Sequence, residues 1–344
     1  MMEIGILGLP SSGKSTLFEI MTGVKSAEKY GEKCVPGLAT VPDERFSKLV
    51  DIFQPVKVSP AQIRFIDVNA QGKNSWDVIR QTLSSADGLL HIVDGFTAKT
   101  AKDCAASYRK LEDELILSDL MIIEKRLEKL LKMPKNVIKP QDISQTDILT
   151  RARAHLEEGK PLRTLNLSDD QVFSLRSFSF WTIRPELICV NLREDRLSMI
   201  DAFLEKVAPE APTIGICGLV EAELADLSLE DQKEYLASMG IEEAAFPKII
   251  RQAFSLLNRI SFFTVGQDEV KAWVIPAQTK APKAAAAIHK DFERGFIKAE
   301  VCAYEDFIAS GKTIAATKSA GKLRLEGKEY IVKDGDIITF RFNV

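Results

Sequence analysis

The chain has 344 residues, of which 45% are hydrophobic and 28% charged. At about 150 residues per domain this length fits two or three domains, and the apolar share is large enough to fill their cores and too large for a disordered chain. Forty-six basic side chains against 49 acidic ones leave a net charge of −3, which excludes a uniformly basic nucleic-acid coat but not a local basic patch. The five cysteines, Cys34, Cys104, Cys189, Cys217 and Cys302, are dispersed without a Cys-x-x-Cys pair. That pattern is expected of reduced thiols in the cytoplasm rather than of a disulfide framework or a zinc site. No apolar run approaches the ~20 residues of a membrane helix, so no membrane partner is expected. The N-terminus lacks the basic segment of a signal peptide.

Residues 3–8 read as a short buried strand, residues 15–21 have helical spacing, and a glycine-bounded loop joins them. Four further runs, 63–67, 88–94, 187–191 and 213–217, are short, apolar and β-branched, as strands covered on both faces are. Helical segments separate most of them, which predicts an α/β fold with a doubly wound, mainly parallel sheet. Between residues 102 and 165 the alternation stops. Ile116, Leu120, Ile123, Leu127 and Leu130 follow a 4-3-4-3 spacing, a coiled-coil seam. Pro134 and Pro140 bracket a turn, Ser144 and Asp147 suggest a capping box, and Gly159 before Pro161 stops a second helix. An inserted antiparallel helical hairpin is predicted, with two ordinary packing helices as the alternative. Ser228 and Asp231 repeat the cap signature, and residues 246–257 form another helix. From about residue 262 the texture changes. Residues 270–275 and 329–333 look like strands and 281–292 like a helix, and Asp334-Gly335-Asp336 is a turn before a strand over 337–342.

Gly8-Leu9-Pro10-Ser11-Ser12-Gly13-Lys14-Ser15 fits the pattern Gly-x4-Gly-Lys-Ser, and it lies between a predicted strand and a predicted helix, the context a phosphate-binding loop requires. Glycines let the main chain curl so that successive N–H groups converge on phosphate oxygens. The helix that opens with Ser15 and Thr16 turns its positive dipole end toward the same anion. Lys14 is the cation that reaches the β- and γ-phosphates, and the Ser15 hydroxyl is a ligand for Mg2+. Composition alone produces such a match in about one chain of this length per hundred, which leaves a plain glycine-rich turn as the weak alternative. Asp67, ending the 63–67 strand, suits the Walker-B place that holds magnesium through water; an ordinary strand-end turn residue is the bland reading.

Asn191-Leu192-Arg193-Glu194 follows a strand where GTPases carry Asn-Lys-x-Asp. The aspartate of that motif accepts two hydrogen bonds from guanine, each worth about 1.5–3 kcal/mol. Glu194 is one methylene longer and Leu192 replaces the lysine, so guanine selection is weakened and Asn191 is left to meet the N7 and 6-amino edge of adenine. A surface loop with no base contact is the alternative.

Together with the C-terminal segment these features resemble the YchF family of Obg-like ATPases, over essentially the whole chain. The order is phosphate loop, Asn-x-x-Glu, coiled-coil insertion and C-terminal TGS domain, and the densest matches are residues 263–273, 288–297, 304–307 and 327–336. The resemblance implies a GTPase-like, adenine-preferring fold that binds ATP (or GTP) with Mg2+, hydrolyses ATP slowly to ADP and phosphate, and associates with ribosomes or RNA. It also implies that Cys217 and Gly218 stand in a base-contacting loop, and that the C-terminal part is a ubiquitin-like β-grasp module. The expected division is a nucleotide-binding domain over residues 1–101 and 166–260, the hairpin over 102–165 and a TGS domain over 261–344. A cytoplasmic monomer is expected.

Two stretches depart from the family. Asp67-Val68-Asn69-Ala70-Gln71-Gly72 stands where the family has Asp-x-Ala-Gly-Leu. Ala70 keeps the N–H that meets the γ-phosphate but resists positive φ. Gln71 occupies the place of the water-orienting glutamine of Ras-like GTPases, which makes it a catalytic candidate beside Lys14; a solvated loop residue is the other reading. Residues 30–40 form a shortened first switch with no match for the second, magnesium-binding threonine, since Thr40 lies too near Val41-Pro42-Asp43. Two functions stay open: a slow NTPase, and a non-hydrolysing, nucleotide-gated adaptor for RNA or the ribosome. A small-molecule kinase fits poorly, because no lid-like arginine cluster is present. Arg151, Arg153, Lys160 and Arg163, with Lys312, Lys318, Lys322, Arg324 and Lys328, are candidate RNA-phosphate contacts or a solvated charged face. His91, inside an apolar strand, and His289 read as structural residues, and His155 lies on the hairpin.

Overall fold

The computed structural model describes residues 2–25, 34–68, 75–134, 139–207, 211–225, 227–238, 241 and 243–343. Ala70, Gln71 and residues 30–33 of the first switch lie outside the described residues. Contacts divide the chain into two units, Met1–Leu38 with Arg64–Ile249, and Ala39–Ile63 with Ile250–Val344.

In chain order the N-terminal half carries strands β1 (Met2–Gly8), β2 (Cys34–Thr40), β3 (Lys57–Ser59), β4 (Gln62–Val68) and β5 (Gly88–Gly95), and helices α1 (Lys14–Thr22), α2 (Glu44–Phe53) and α3 (Ser75–Thr82). Strands β6 (Glu186–Leu192) and β7 (Thr213–Ile216) follow a long helical insertion. The first sheet has the order β2-β4-β1-β5-β6-β7. Its neighbours β1/β5, β5/β6 and β6/β7 are parallel. Ile4, Ile6, Leu89, Leu90, Ile92, Ile188 and Val190 are all buried, so consecutive residues face apolar surroundings on both sides, as a doubly wound sheet requires. Gly8, Asp67, Asn191 and Ile216 all lie at the carboxyl ends of their strands, the edge at which such sheets bind ligands.

The insertion is a helical pair, α4 (Ala101–Leu131) and α5 (Pro140–Glu157). At 1.5 Å per residue α4 is about 46 Å long. Thr100 and Asp103 cap it reciprocally, with Asp103 N donating to Thr100 Oγ1 at 3.3 Å and Thr100 N to Asp103 Oδ2 at 2.9 Å. Ile116, Ile123, Leu127 and Leu130 are buried against Ile148, Leu149, Ala152 and Leu156, with Leu120 partly buried beside them, so the 4-3-4-3 stripe is the seam. The second helix starts at Pro140 rather than Ser144. Proline is already set for a first helical turn, and Lys139 N donates to Asp142 Oδ2 at 3.1 Å, a cap that precedes the Ser144/Asp147 pair.

The second unit contains β8 (Arg259–Thr264), β9 (Glu269–Pro276), β10 (Phe296–Ala303), β11 (Arg324–Glu326) and β12 (Asp336–Phe342), in the sheet order β11-β10-β12-β8-β9-β3. The first two form an antiparallel hairpin, and β12 returns parallel to β8 in the middle, which is β-grasp topology. The helix Ala281–Ile288 packs Ala281, Ala284 and Ala285 on Phe262, Phe296, Val301 and Phe340.

Residues 39–63, expected in the nucleotide-binding domain, pack in this second unit instead. Three contacts hold them there. β3 extends the sheet by pairing with β9, Arg45 NH1 binds Asp334 Oδ2 at 2.8 Å, and Phe46 and Phe53 meet Phe263 and Phe307 at ring separations of 6.2 and 5.8 Å. Residues 329–333 are not a strand; Ile331 makes a single bridge to Lys280. The helix expected over 281–292 breaks at His289, which is extended at φ −157 and whose ring accepts from Asp291 N at 3.2 Å to cap the next short helix. β10 carries no clean alternation in sequence because a register shift falls between Phe296 and Lys298. Among the described residues no helix is long and apolar enough to cross a membrane.

Candidate nucleotide-binding site

The glycine-bounded loop leaves β1 at Gly8 and enters α1 at Lys14. A β-carbon on Gly8 would stand 2.5 Å from the Ile92 carbonyl oxygen and 2.6 Å from Ser12 Oγ. One on Gly13, which caps α1 at φ 92, would stand 2.4 Å from Asn191 Nδ2. Close approach therefore dictates glycine at both places, and left-handed backbone adds to it at Gly13. Ser11 also takes a positive φ, at 65°. The first turn of α1 has no acidic residue, so its positive end is left for an outside anion. Pro10, Ser11 and Thr16 are exposed around the loop, while Ser12 is buried and its Oγ has no hydrogen-bond partner.

Lys14 Nζ donates to the Leu9 carbonyl at 2.9 Å across the loop. Burial lowers its pKa, and the Asp67 carboxylate opposes that shift. Ser15 Oγ donates to Asp67 Oδ2 at 2.8 Å, although the two are 52 positions apart. Asp67 is fully buried at the end of β4. A hydroxyl and a carboxylate oxygen side by side, next to an ammonium group, are hard donors suited to a hydrated Mg2+ that carries phosphate oxygens. The glycine cradle and the partnerless Ser12 hydroxyl fit the same ligand.

Asn191, at the end of β6, is the strut of the site. Its Nδ2 donates to the Ser12 carbonyl at 3.2 Å, and its Oδ1 accepts from Gly218 N at 3.1 Å. One amide thus ties the phosphate loop to the turn after β7, where Cys217 is buried and Gly218 opens the helix Gly218–Ala225. Its polar atoms are engaged by protein, so Asn191 is not simply free for a base edge. Leu192 is fully buried in a core with Val93, Cys104 and Phe203, and gives nothing to the surface that the GTPase lysine would cover. Glu194 is exposed in the short turn Glu194–Arg196. Sequence reasoning missed Phe96. Its ring, 36% exposed, follows β5, with the Arg193 guanidinium 6.0 Å from its centre, and Arg196 donates to the nearby Ala98 carbonyl. The signal was a phenylalanine just past the carboxyl end of an apolar strand.

Farther down the same strands lies a buried ionic cluster. His91 Nδ1 is 2.8 Å from Glu186 Oε1, and Arg163 NH2 stands 2.5 Å from both Glu112 Oε1 and Glu186 Oε2. Ligand atoms of His91, Glu112 and Glu186 lie within 4.8 Å of one another, but the guanidinium already stands among them as the cation, so this is an ion-pair cluster rather than a metal centre. Burial, and then the Glu186 charge, push the Glu112 carboxyl up to about 7 against the pull of Arg163. Burial acts upward on Glu186 too, but the His91 hydrogen bond and the Arg163 charge hold it below the usual range. Arg163 is therefore withdrawn from any RNA-facing surface, and His91 is a packed core residue. Lys322 pairs with Asp306 at 3.2 Å and Arg324 donates to Tyr330 Oη at 3.2 Å, whereas Lys312, Lys318 and Lys328 are exposed. His155 is half-buried, its Nε2 2.7 Å from Thr164 Oγ1.

A phosphate loop between the first strand and helix, an aspartate on a neighbouring strand end and an asparagine strut define a phosphate-loop NTPase of the GTPase type. Residues 259–343 match the family YchF-GTPase_C, described as a protein of unknown function, and residues 3–126 match the 50S ribosome-binding GTPase family. The chain is 35% identical over 363 residues to the ribosome-binding ATPase YchF of Bacillus subtilis, covering 99% of both chains. It is 35% identical over 372 residues to Obg-like ATPase 1 of Homo sapiens, covering 99% of this chain and 92% of that one. The solved structure of the Schizosaccharomyces pombe YchF GTPase superposes with a TM-score of 0.85 at 27% identity, covering 99% of this chain and 97% of that one. The chain belongs to the YchF family of Obg-like ATPases.

Proposed function

We propose that this chain binds ATP in preference to GTP together with Mg2+, hydrolyses it slowly to ADP and phosphate, and works as a monomer on the ribosome in the cytoplasm. The Ser15–Asp67 hydrogen bond beside Lys14, at the mouth of the loop between β1 and α1, carries this reading. Gly8, Pro10, Ser11, Ser12, Gly13 and Thr16 cradle the phosphates, and Lys14 leaves the Leu9 carbonyl to meet the β- and γ-phosphoryl oxygens. Ser15 and Asp67 hold the ion, which when bound supplies positive charge to the phosphoryl oxygens. Gln71 orients the attacking water. Asn191 fixes the spacing between the phosphate loop and Cys217-Gly218, and Phe96 offers an aromatic face to the base while Glu194 stands off register for guanine. The ribosome is the partner because relatives that match over the full chain are named ribosome-binding ATPases.

Phosphate release by the purified protein, with and without ribosomes, tests this reading against a Lys14→Ala control. Release well above the control is expected; release equal to it would sink the ATPase. Ala70 and the missing switch threonine favour a second reading, a nucleotide-gated adaptor with little turnover. Ribosome pelleting in ATP, in ADP and without nucleotide separates the two, since equal pelleting in all three removes gating.

A further inference from the structure

α3 begins eight residues after Asp67, and its far end is clamped to the root of the hairpin by two arginines that reach in opposite directions. Arg80, on α3, donates to the Ser179 carbonyl at 3.0 Å, to Ser118 Oγ at 2.5 Å and to Asp119 Oδ1 at 3.2 Å. Ser118 and Asp119 belong to α4. Arg184, on the chain leaving the hairpin, donates to the Leu83 carbonyl at 2.7 Å and the Ser84 carbonyl at 3.3 Å, just past the end of α3. Both guanidinium groups lie over the Trp181 ring, at 5.1 and 4.9 Å. Asp119 is fully buried and also accepts from Trp181 N, Thr182 N and Thr182 Oγ1.

Each of these bonds is directional, and several are charge-assisted. Sliding α3 would strip Arg80 from a buried carboxylate or drag α4 along with it, and an unpaired buried charge is the costlier outcome. Leu111 and Leu115 of α4, with Trp181, share one core with Ile66 and Val68, the residues on either side of Asp67. Helix and strand on both sides of the metal-binding position are thus packed against the hairpin root.

We propose that the Arg80–Trp181–Arg184 clamp couples the nucleotide site to the inserted hairpin, so that the nucleotide bound at the phosphate loop sets the conformation of α4 and α5. The proposal rests on the nucleotide-binding reading above. A triphosphate biases Asp67 and with it Ile66 and Val68, which press on Leu111, Leu115 and Trp181, and the Arg80 and Arg184 bonds keep α3 and the Ser118–Asp119 turn of α4 in register with that core.

Hydrogen exchange of the full chain, without nucleotide, with ADP and with a non-hydrolysable ATP analogue, tests this beside calorimetric titration of the same samples. In the wild type the analogue is expected to slow exchange in α4 and α5 about fivefold relative to ADP, the lower end of coupling between sites. In Arg80→Ala that difference disappears, while analogue affinity changes by no more than the same factor, because coupling is reciprocal. Arg80→Lys keeps the positive charge beside Asp119 without the fork, carries the test if Arg80→Ala fails to fold, and is expected to lose the difference too. No binding by the wild type overturns the nucleotide reading itself. Binding without a hairpin response, or a response retained in both variants, overturns the coupling alone.

Discussion

Glu112 keeps a proton that an exposed carboxyl would lose well below neutrality, since burial and the Glu186 charge push it up to about 7. A carboxyl that binds its proton more tightly folded than unfolded stabilises the fold at low pH. That contribution is complete below the unfolded value of 4.5 and lost as pH rises through about 7. Thermal melts from pH 5 to 8 are expected to show a fall in the wild type that Glu112→Gln removes, and parallel profiles would contradict this. Asn191→Ala deletes the bonds to both Ser12 and Gly218, and is expected to weaken nucleotide binding about tenfold, roughly one hydrogen bond, with the fold intact by circular dichroism. At this scale the phosphate loop and Asp67 were legible because their chemistry forces residue types into a fixed local spacing. The strut made by Asn191 was not, because its partner in the phosphate loop is 179 positions away and no local pattern encodes that meeting.

The hairpin shows how far periodicity reaches. The apolar stripe of α4 predicted the seam because each member sits on one helix face, and burial against Ile148, Leu149 and Ala152 follows from it. Leu127→Ala is expected to cost about 2–5 kcal/mol in denaturant unfolding, while Leu117→Ala, at 58% exposure, costs almost nothing. Equal effects would mean that the seam does not hold the pair together. The start of α5 was misplaced because two cap signatures compete five residues apart, and the earlier one has proline in the first turn. Residues 329–333 alternate like a strand, yet Tyr330 turns its hydroxyl to Asp336 at 2.7 Å and only Ile331 reaches a bridge. Tertiary hydrogen bonding outweighs local propensity there.

The whole molecule is divided where sequence order gives no hint. Residues 39–63 lie between the phosphate loop and Asp67 in the chain, yet they supply the edge strand β3 and the Phe46 and Phe53 rings to the β-grasp unit. A fragment of residues 250–344 alone is expected to melt well below one with residues 39–63 tethered back to it, since losing a buried phenylalanine costs about 3–5 kcal/mol. Equal melting temperatures would show that the segment is dispensable. On the proposed reading, main-chain N–H groups and Lys14 grip the phosphates of the nucleotide, and the turn after β6 does not select guanine. Calorimetric titration of the wild type and Lys14→Ala with ATP and GTP measures both halves at once. ATP is expected to bind the wild type about tenfold more tightly than GTP, because the guanine N1–H and 2-amino donors would leave water without the carboxylate that pairs them in GTPases, and neither is expected to bind Lys14→Ala. GTP binding as tight as ATP, or undiminished binding in Lys14→Ala, would contradict it.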